Sequence, residues 1–243
     1  IGTGDTIHYR DFQKNTWAKV TGSARKVAVG KNSDVWVVNK SNDIYRGGIN
    51  GWKKIKGKLS DIAVGADGSV WGIGIKEVHK GGNNIYKLNG SSWQKQGGYA
   101  VQVAVAPNGE AWVVNALGRI YKGNGKKWSV MPGLAKEVAI GADGSVWHLS
   151  QAEIGKGGHG VYRWSAKNKN WDLMSGQATS LAVAPSGQPW VTNKQNNIYD
   201  GNSKRKSTPK LVYTCPAGYL RDIAKSETAN DACYKQVFAS AKK

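Results

Sequence analysis

The stretch IAVGADGSVWGIG (62–74) returns almost unchanged as VAIGADGSVWHLS (138–150), and that recurrence decides the fold. Each copy is a β-rich run, a tight Asp-Gly turn and a second β-rich run, the signature of a two-stranded hairpin. Three looser copies keep the frame: VAVGKNSDVWVVN (27–39), VAVAPNGEAWVVN (103–115) and LAVAPSGQPWVTN (181–193). A third segment follows each: DIYR (43–46), NIYK (84–87), RIYK (119–122), GVYR (160–163) and NIYD (197–200). A Gly-bearing turn then leads to a fourth run that opens on Trp, as in GGINGWKKI (47–55).

Ten of the eleven Trp residues thus fall on two ladders. Trp36, Trp71, Trp112, Trp147 and Trp190 occupy second strands; Trp17, Trp52, Trp93, Trp128 and Trp171 open fourth strands. Both climb in steps of 35, 41, 35 and 43 residues, so one four-stranded unit has been copied along the chain. No helical periodicity interrupts it in the first 200 residues.

A sixth unit is split between the ends. The N-terminus offers a third strand, TIHYR (6–10), and an outer Trp17; YTCPAGYLRDIAKS (213–226) can be laid on WKKIKGKLSDIAVG (52–65), with Tyr213 in the place of Trp52. The expected fold is all-β: a six-bladed β-propeller of four-stranded antiparallel blades whose closing blade is shared by the two termini. Such closure removes exposed sheet edges. Residues 1–243 then form one domain, with repeats near 21–56, 57–97, 98–132, 133–175 and 176–214, and with 215–243 joined to 1–20. The competing reading is five blades plus a disulfide-tied tail.

Forty per cent hydrophobic residues with 32 Gly and 6 Pro fit a turn-rich globular chain, and no apolar run approaches the roughly 20 residues of a membrane span. The chain begins at Ile1, with Met only at 131 and 174, which points to a processed or trimmed N-terminus. A removed signal peptide would place the protein outside the cell; a removed tag or domain would explain the start equally. Cys215 and Cys233 read as a disulfide in an exported protein and as two thiols in a cytosolic one. The bond would close a loop of about 19 residues and stabilise by about 3 kcal/mol.

The formal charge of +19 is the second large signal. It favours anionic partners such as lipopolysaccharide, acidic glycans, phospholipid or nucleic acid, the last without specific recognition. The Lys residues are spread over every repeat, so a solvated, soluble surface is the alternative. Oligomeric state leaves no trace in the sequence.

The unit x-A-V-G-x-D/N-G-x-V-W-x-V, followed by D/N-I-Y-R/K and an outer Trp, resembles the tectonin repeat of fish-egg, horseshoe-crab, fungal and slime-mould lectins. GADGSVW at 65–71 and 141–147 carries the likeness most closely, and it covers about residues 5–200. The resemblance implies a propeller that binds carbohydrate at repeated sites between blades, on microbial or egg-coat glycans, as in innate recognition of foreign cells.

Candidate contacts follow. The second-strand Trp ladder reads as core. The outer ladder (Trp17, Trp52, Trp93, Trp128, Trp171) offers flat faces to sugar rings, with packing against the next blade as the competing use. Asn39, Asn115 and Asn193, each three residues after a second-strand Trp, would either hydrogen-bond sugar hydroxyls or cap turns. Glu77 and Glu153 recur in the longer loops of 75–84 and 151–160, either as a second class of site or as extended hairpins. Enzymatic readings fail on residue type. The four His lack zinc-site spacing, no Gly-x-Ser-x-Gly elbow occurs, and most of the 16 acidic residues recur at turns, with no pair suited to glycoside hydrolysis evident. No cofactor is expected; a structural calcium ion in a central channel stays open.

Overall fold

The computed structural model describes residues 1–201 apart from 12 and 15, together with the backbone of short strands at 210–211, 219–221 and 233–235. The chain opens with a two-stranded sheet, β1 (Thr6–Asp11) against β2 (Thr16–Ser23). Five antiparallel four-stranded blades follow in chain order. The first is β3 (Lys26–Val29), β4 (Val35–Val38), β5 (Asp43–Gly48) and β6 (Gly51–Lys58); the second is β7 (Asp61–Val64), β8 (Val70–His79), β9 (Gly82–Asn89) and β10 (Ser92–Ala100). The third blade is β11 (Gln102–Val105), β12 (Ala111–Val114), β13 (Arg119–Gly123) and the first half of β14 (Trp128–Ile140). The second half of β14, β15 (Val146–Gly155), β16 (Gly158–Ser165) and β17 (Asn170–Ala178) make the fourth. The fifth holds β18 (Ser180–Val183), β19 (Pro189–Thr192), β20 (Ile198–Asp200) and β21 (Lys210–Leu211). A last hairpin pairs β22 (Tyr219–Arg221) with β23 (Cys233–Lys235), Leu220 opposite Tyr234.

In each of the first four blades the turns after the first and third strands lie on one rim and the turn after the second strand lies on the other. First strands of successive blades neighbour one another, β3 beside β7, β7 beside β11, and β14 beside both β11 and β18. That is the arrangement of a β-propeller. No α-helix occurs among the described residues.

The core is not one mass but a series of layers between blades. Between the first and second, Trp36, Val38, Ile44, Leu59, Ile62 and Val70 bury together, with Trp93 against them. Between the second and third, Trp71, Ile73, Ile85, Val103, Val105 and Val113 do so with Trp128. Between the third and fourth, Trp112, Val114, Ile120, Val138 and Val146 meet Trp164 and Trp171. Each layer holds one second-strand Trp, as period-2 alternation requires when one sheet face turns toward the next blade.

The expected six-unit frame has five of its units here as four-stranded sheets. Tyr213, the Asp222-Ile-Ala match and Cys215 lie outside the described residues, so the expected disulfide falls there too.

Candidate functional site

The two Trp ladders do different work. Trp36, Trp71, Trp112 and Trp147 are buried; Trp190 is half-buried. Each of the first four lies under a cation from the opposing residue of the third strand: Arg46 at 5.3 Å, Lys87 at 5.1 Å, Lys122 at 5.6 Å and Arg163 at 5.5 Å from the ring centroid. The basic residue of the D/N-I-Y-R/K segment is therefore a lid on the indole, a cation–π contact that sequence reasoning missed. The basic residue that ends four of the third segments, at 46, 87, 122 and 163, was the available signal, and the register sets it opposite the Trp.

The outer ladder is half-buried at Trp52, Trp93, Trp128 and Trp171 and exposed at Trp17. Each half-buried indole donates its Nε1–H to a carbonyl of the preceding unit: Trp52 to Thr21 at 2.7 Å, Trp93 to Lys56 at 3.0 Å, Trp128 to Gly97 at 2.9 Å and Trp171 to Pro132 at 2.8 Å. The acceptor always lies four residues after the preceding outer Trp. Trp128 and Trp171 also meet the second-strand Trp71 and Trp112 edge-on, centroids 6.3 Å apart. These side chains fasten blade to blade, leaving ring surface but no free N–H for a ligand. Arg10 lies 5.9 Å from the Trp17 ring.

The next residue explains how the carbonyl is presented. Gly22, Gly57, Gly98, Gly133 and Gly176 all have positive φ and stand five residues after an outer Trp. At Gly57 (φ +116°) a Cβ would lie 3.0 Å from Cδ1 of Trp93. Glycine both permits the left-handed bulge and leaves room for the neighbour's indole.

Asn39, Asn115 and Asn193 cap the turns that follow the second strands. The Asn39 Oδ1 accepts the N–H groups of Ser41 and Asp43, that of Asn115 those of Leu117 and Arg119, and that of Asn193 those of Gln195 and Asn197. Glu77 and Glu153 are exposed on the long hairpins of different blades. Glu153 pairs with Lys194 at 2.5 Å, and that hydrogen bond holds its carboxyl below the usual range. Residue 116, the position equivalent to Lys194, is Ala, so Glu77 has no such partner.

Polar residues heading the first strands form a further chain of interblade links. Asp61 accepts the N–H of Val103 at 2.9 Å and faces Lys26 Nζ at 3.3 Å. Gln102 accepts the N–H of Val138 at 3.0 Å, and Glu137 accepts that of Leu181. Burial pushes the Glu137 carboxyl up to about 7; Lys26 opposes the shift and Asp61 adds to it. Burial raises Asp61 as well.

On the hairpin rim an open groove of about 650 Å³ separates the first and second blades. Its walls are Lys31, Asn32, Ser33, Asp34 and Arg46 on one side and the Ala66-Asp67-Gly68 turn on the other. Asp34 is fixed twice, accepting Nε of Arg46 at 2.6 Å and Nε1 of Trp36 at 2.9 Å. Among the described residues no group of three His, Cys, Asp or Glu side chains could hold a metal ion, and no helix is long and apolar enough to cross a membrane.

The recurring unit, with its interblade Trp and its Asp-Gly hairpin, is matched by the tectonin domain model over residues 2–79 and 78–207. The chain belongs to the tectonin family. Solved structures share the propeller: YCF48 bound to a D1 peptide is 13% identical, over 87% of this chain and 72% of that one, with a TM-score of 0.52. TolB from Acinetobacter baumannii is 14% identical over 80% of this chain but 56% of its own length, at a TM-score of 0.62. A gluconolactonase from Xanthomonas campestris is 14% identical, over 74% of this chain and 73% of that one, at 0.54. At such identity they share the fold alone. No curated protein matches this tectonin sequence.

Proposed function

We propose that this tectonin protein is a secreted, non-enzymatic lectin that holds cell-surface glycans, microbial ones among them, at repeated sites between its blades. The single observation that carries the reading is the groove beside Trp36. There an amide, a hydroxyl and a fixed Asp34–Arg46 pair converge on a space between two blades. Individual sugar sites bind weakly, and several on one rigid ring act together by avidity on a dense glycan layer.

Six blades suit this role, and the bulge supports the count. Outer Trp residues are followed five positions later by glycine in five units, and Tyr213 is followed five positions later by Gly218. A closing blade built from both termini would give Trp17 the neighbour that the other outer Trp residues have, with a Cys215–Cys233 disulfide across it.

A glycan array at about 200 mM salt, where purely electrostatic attachment has weakened, tests the function. Retained glycans, held more weakly on Asn32→Gly or Arg46→Ala, support the lectin. Silence on the array with retention on heparin at low salt replaces it with a basic scaffold for anionic polymers, the reading that the charge of +19 favours.

A further inference from the structure

The repeat has a longer period than one blade. Short steps of 35 residues alternate with long ones of 41 and 43 along both ladders, and the hairpin turns alternate with them. The second and fourth blades carry Ala-Asp-Gly-Ser (66–69 and 142–145). The first and third carry Lys-Asn-Ser-Asp (31–34) and Pro-Asn-Gly-Glu (107–110) in that place.

The alternation changes the junctions. Between the second and third blades the Asp67 carboxylate lies on Gly109, which is buried, and a Cβ there would collide with it. Between the fourth and fifth, Asp143 covers buried Gly187 in the same way, and Ser145 Oγ donates to the Gly187 carbonyl at 3.4 Å. Between the first and second, the equivalent Gly68 is exposed, with nothing within 4 Å of a Cβ built on it. Gly144, between the third and fourth, is equally uncovered.

We propose that the first–second and third–fourth junctions are the working sites of this propeller, two copies of one site for an uncharged pyranose, and that turn-to-turn contact shuts the junctions between them. The inference rests on the glycan-binding reading and narrows it. Each open junction has an Asn at the turn (Asn32, Asn108), an acid paired with a base, and a second-strand Trp beneath the base. Asp34 meets Arg46 over Trp36, and Glu110 lies 4.0 Å from Lys122 over Trp112. The next blade adds Ala-Asp-Gly in both.

Charge decides the ligand class. In the first groove Lys31 and Arg46 balance Asp34 and Asp67, so a chain with net charge +19 presents a locally neutral cleft. A phosphate or sulfate placed there meets two carboxylates; a ring of hydroxyls finds donors and acceptors fixed in advance.

The test uses the indole N–H signals of the full-length protein in ¹⁵N NMR spectra. Glucose, galactose, mannose and N-acetylglucosamine are titrated in turn, with inorganic sulfate as the anionic probe. One of the sugars should move the Trp36 and Trp112 signals and leave Trp71 and Trp147 in place. Asn32→Gly, which keeps the left-handed turn while deleting the amide, should remove the Trp36 response alone. If no sugar moves any indole, the glycan reading falls and takes this inference with it. Equal movement of all four indoles keeps the glycan reading and sinks the alternation. A response at Trp36 and Trp112 to sulfate alone overturns the ligand class.

Discussion

An outer indole spends its one polar atom on the blade before it, and the consequence can be weighed. Trp128→Phe keeps most of the ring but deletes the hydrogen bond to Gly97, at a cost of about 1 kcal/mol. Trp128→Ala also empties the space against Trp71 and should cost about 3–5 kcal/mol, read as the difference between the two melting curves. Equal losses for both variants would mean that the ring does no packing. Glu137 acts at the same scale but through pH. Its carboxyl titrates near 7 when folded, above an ordinary value of 4.5, so the folded chain holds a proton that the unfolded chain releases. That contribution is complete below pH 4.5 and disappears as pH rises through 7. Asp61, shifted in the same direction, reinforces it. Glu137→Gln should therefore gain roughly 1–3 kcal/mol over the parent at pH 8 and little at pH 4.5, in denaturant titrations run at both.

At the scale of the strand, a bulge glycine and a turn glycine invite a paired comparison. Gly57→Ala meets both a left-handed φ of +116° and the Trp93 ring, and should cost about 2–4 kcal/mol. Gly68→Ala has a left-handed φ of +84° but open space around it, and should cost only about 1–2 kcal/mol. Hairpins of this kind were legible in advance because Asp-Gly and Asn-Gly turns are local chemistry. The bulge was not: among 32 glycines, one that follows Trp by five residues looks like any turn glycine. Nor could spacing tell the ladders' roles apart, since both repeat identically. What separates them is an acceptor on another blade, and the same holds for the Asn residues, whose competing roles differ only in which N–H groups lie nearby. The alternation of the junctions was half-visible: the two loop lengths were plain, the contacts of Asp67 and Asp143 with the next blade's turn glycine were not.

For the molecule as a whole, overall charge and local sites make separable contributions. Retention on a sulfated polymer should fall steeply between about 50 and 200 mM salt, whereas attachment to a neutral sugar column should barely change. Parallel salt elution on both columns checks this, and matching profiles would merge the two activities into one. The direction of the indole fastening also has a temporal side. Each of the outer-ladder residues Trp52, Trp93, Trp128 and Trp171 reaches back to a unit that leaves the ribosome before its own. Each newly made blade thus finds its anchor already folded, and synthesis can proceed without a waiting partner. C-terminal truncations should keep whichever of Trp52, Trp93, Trp128 and Trp171 survive satisfied, while N-terminal ones orphan the next in line.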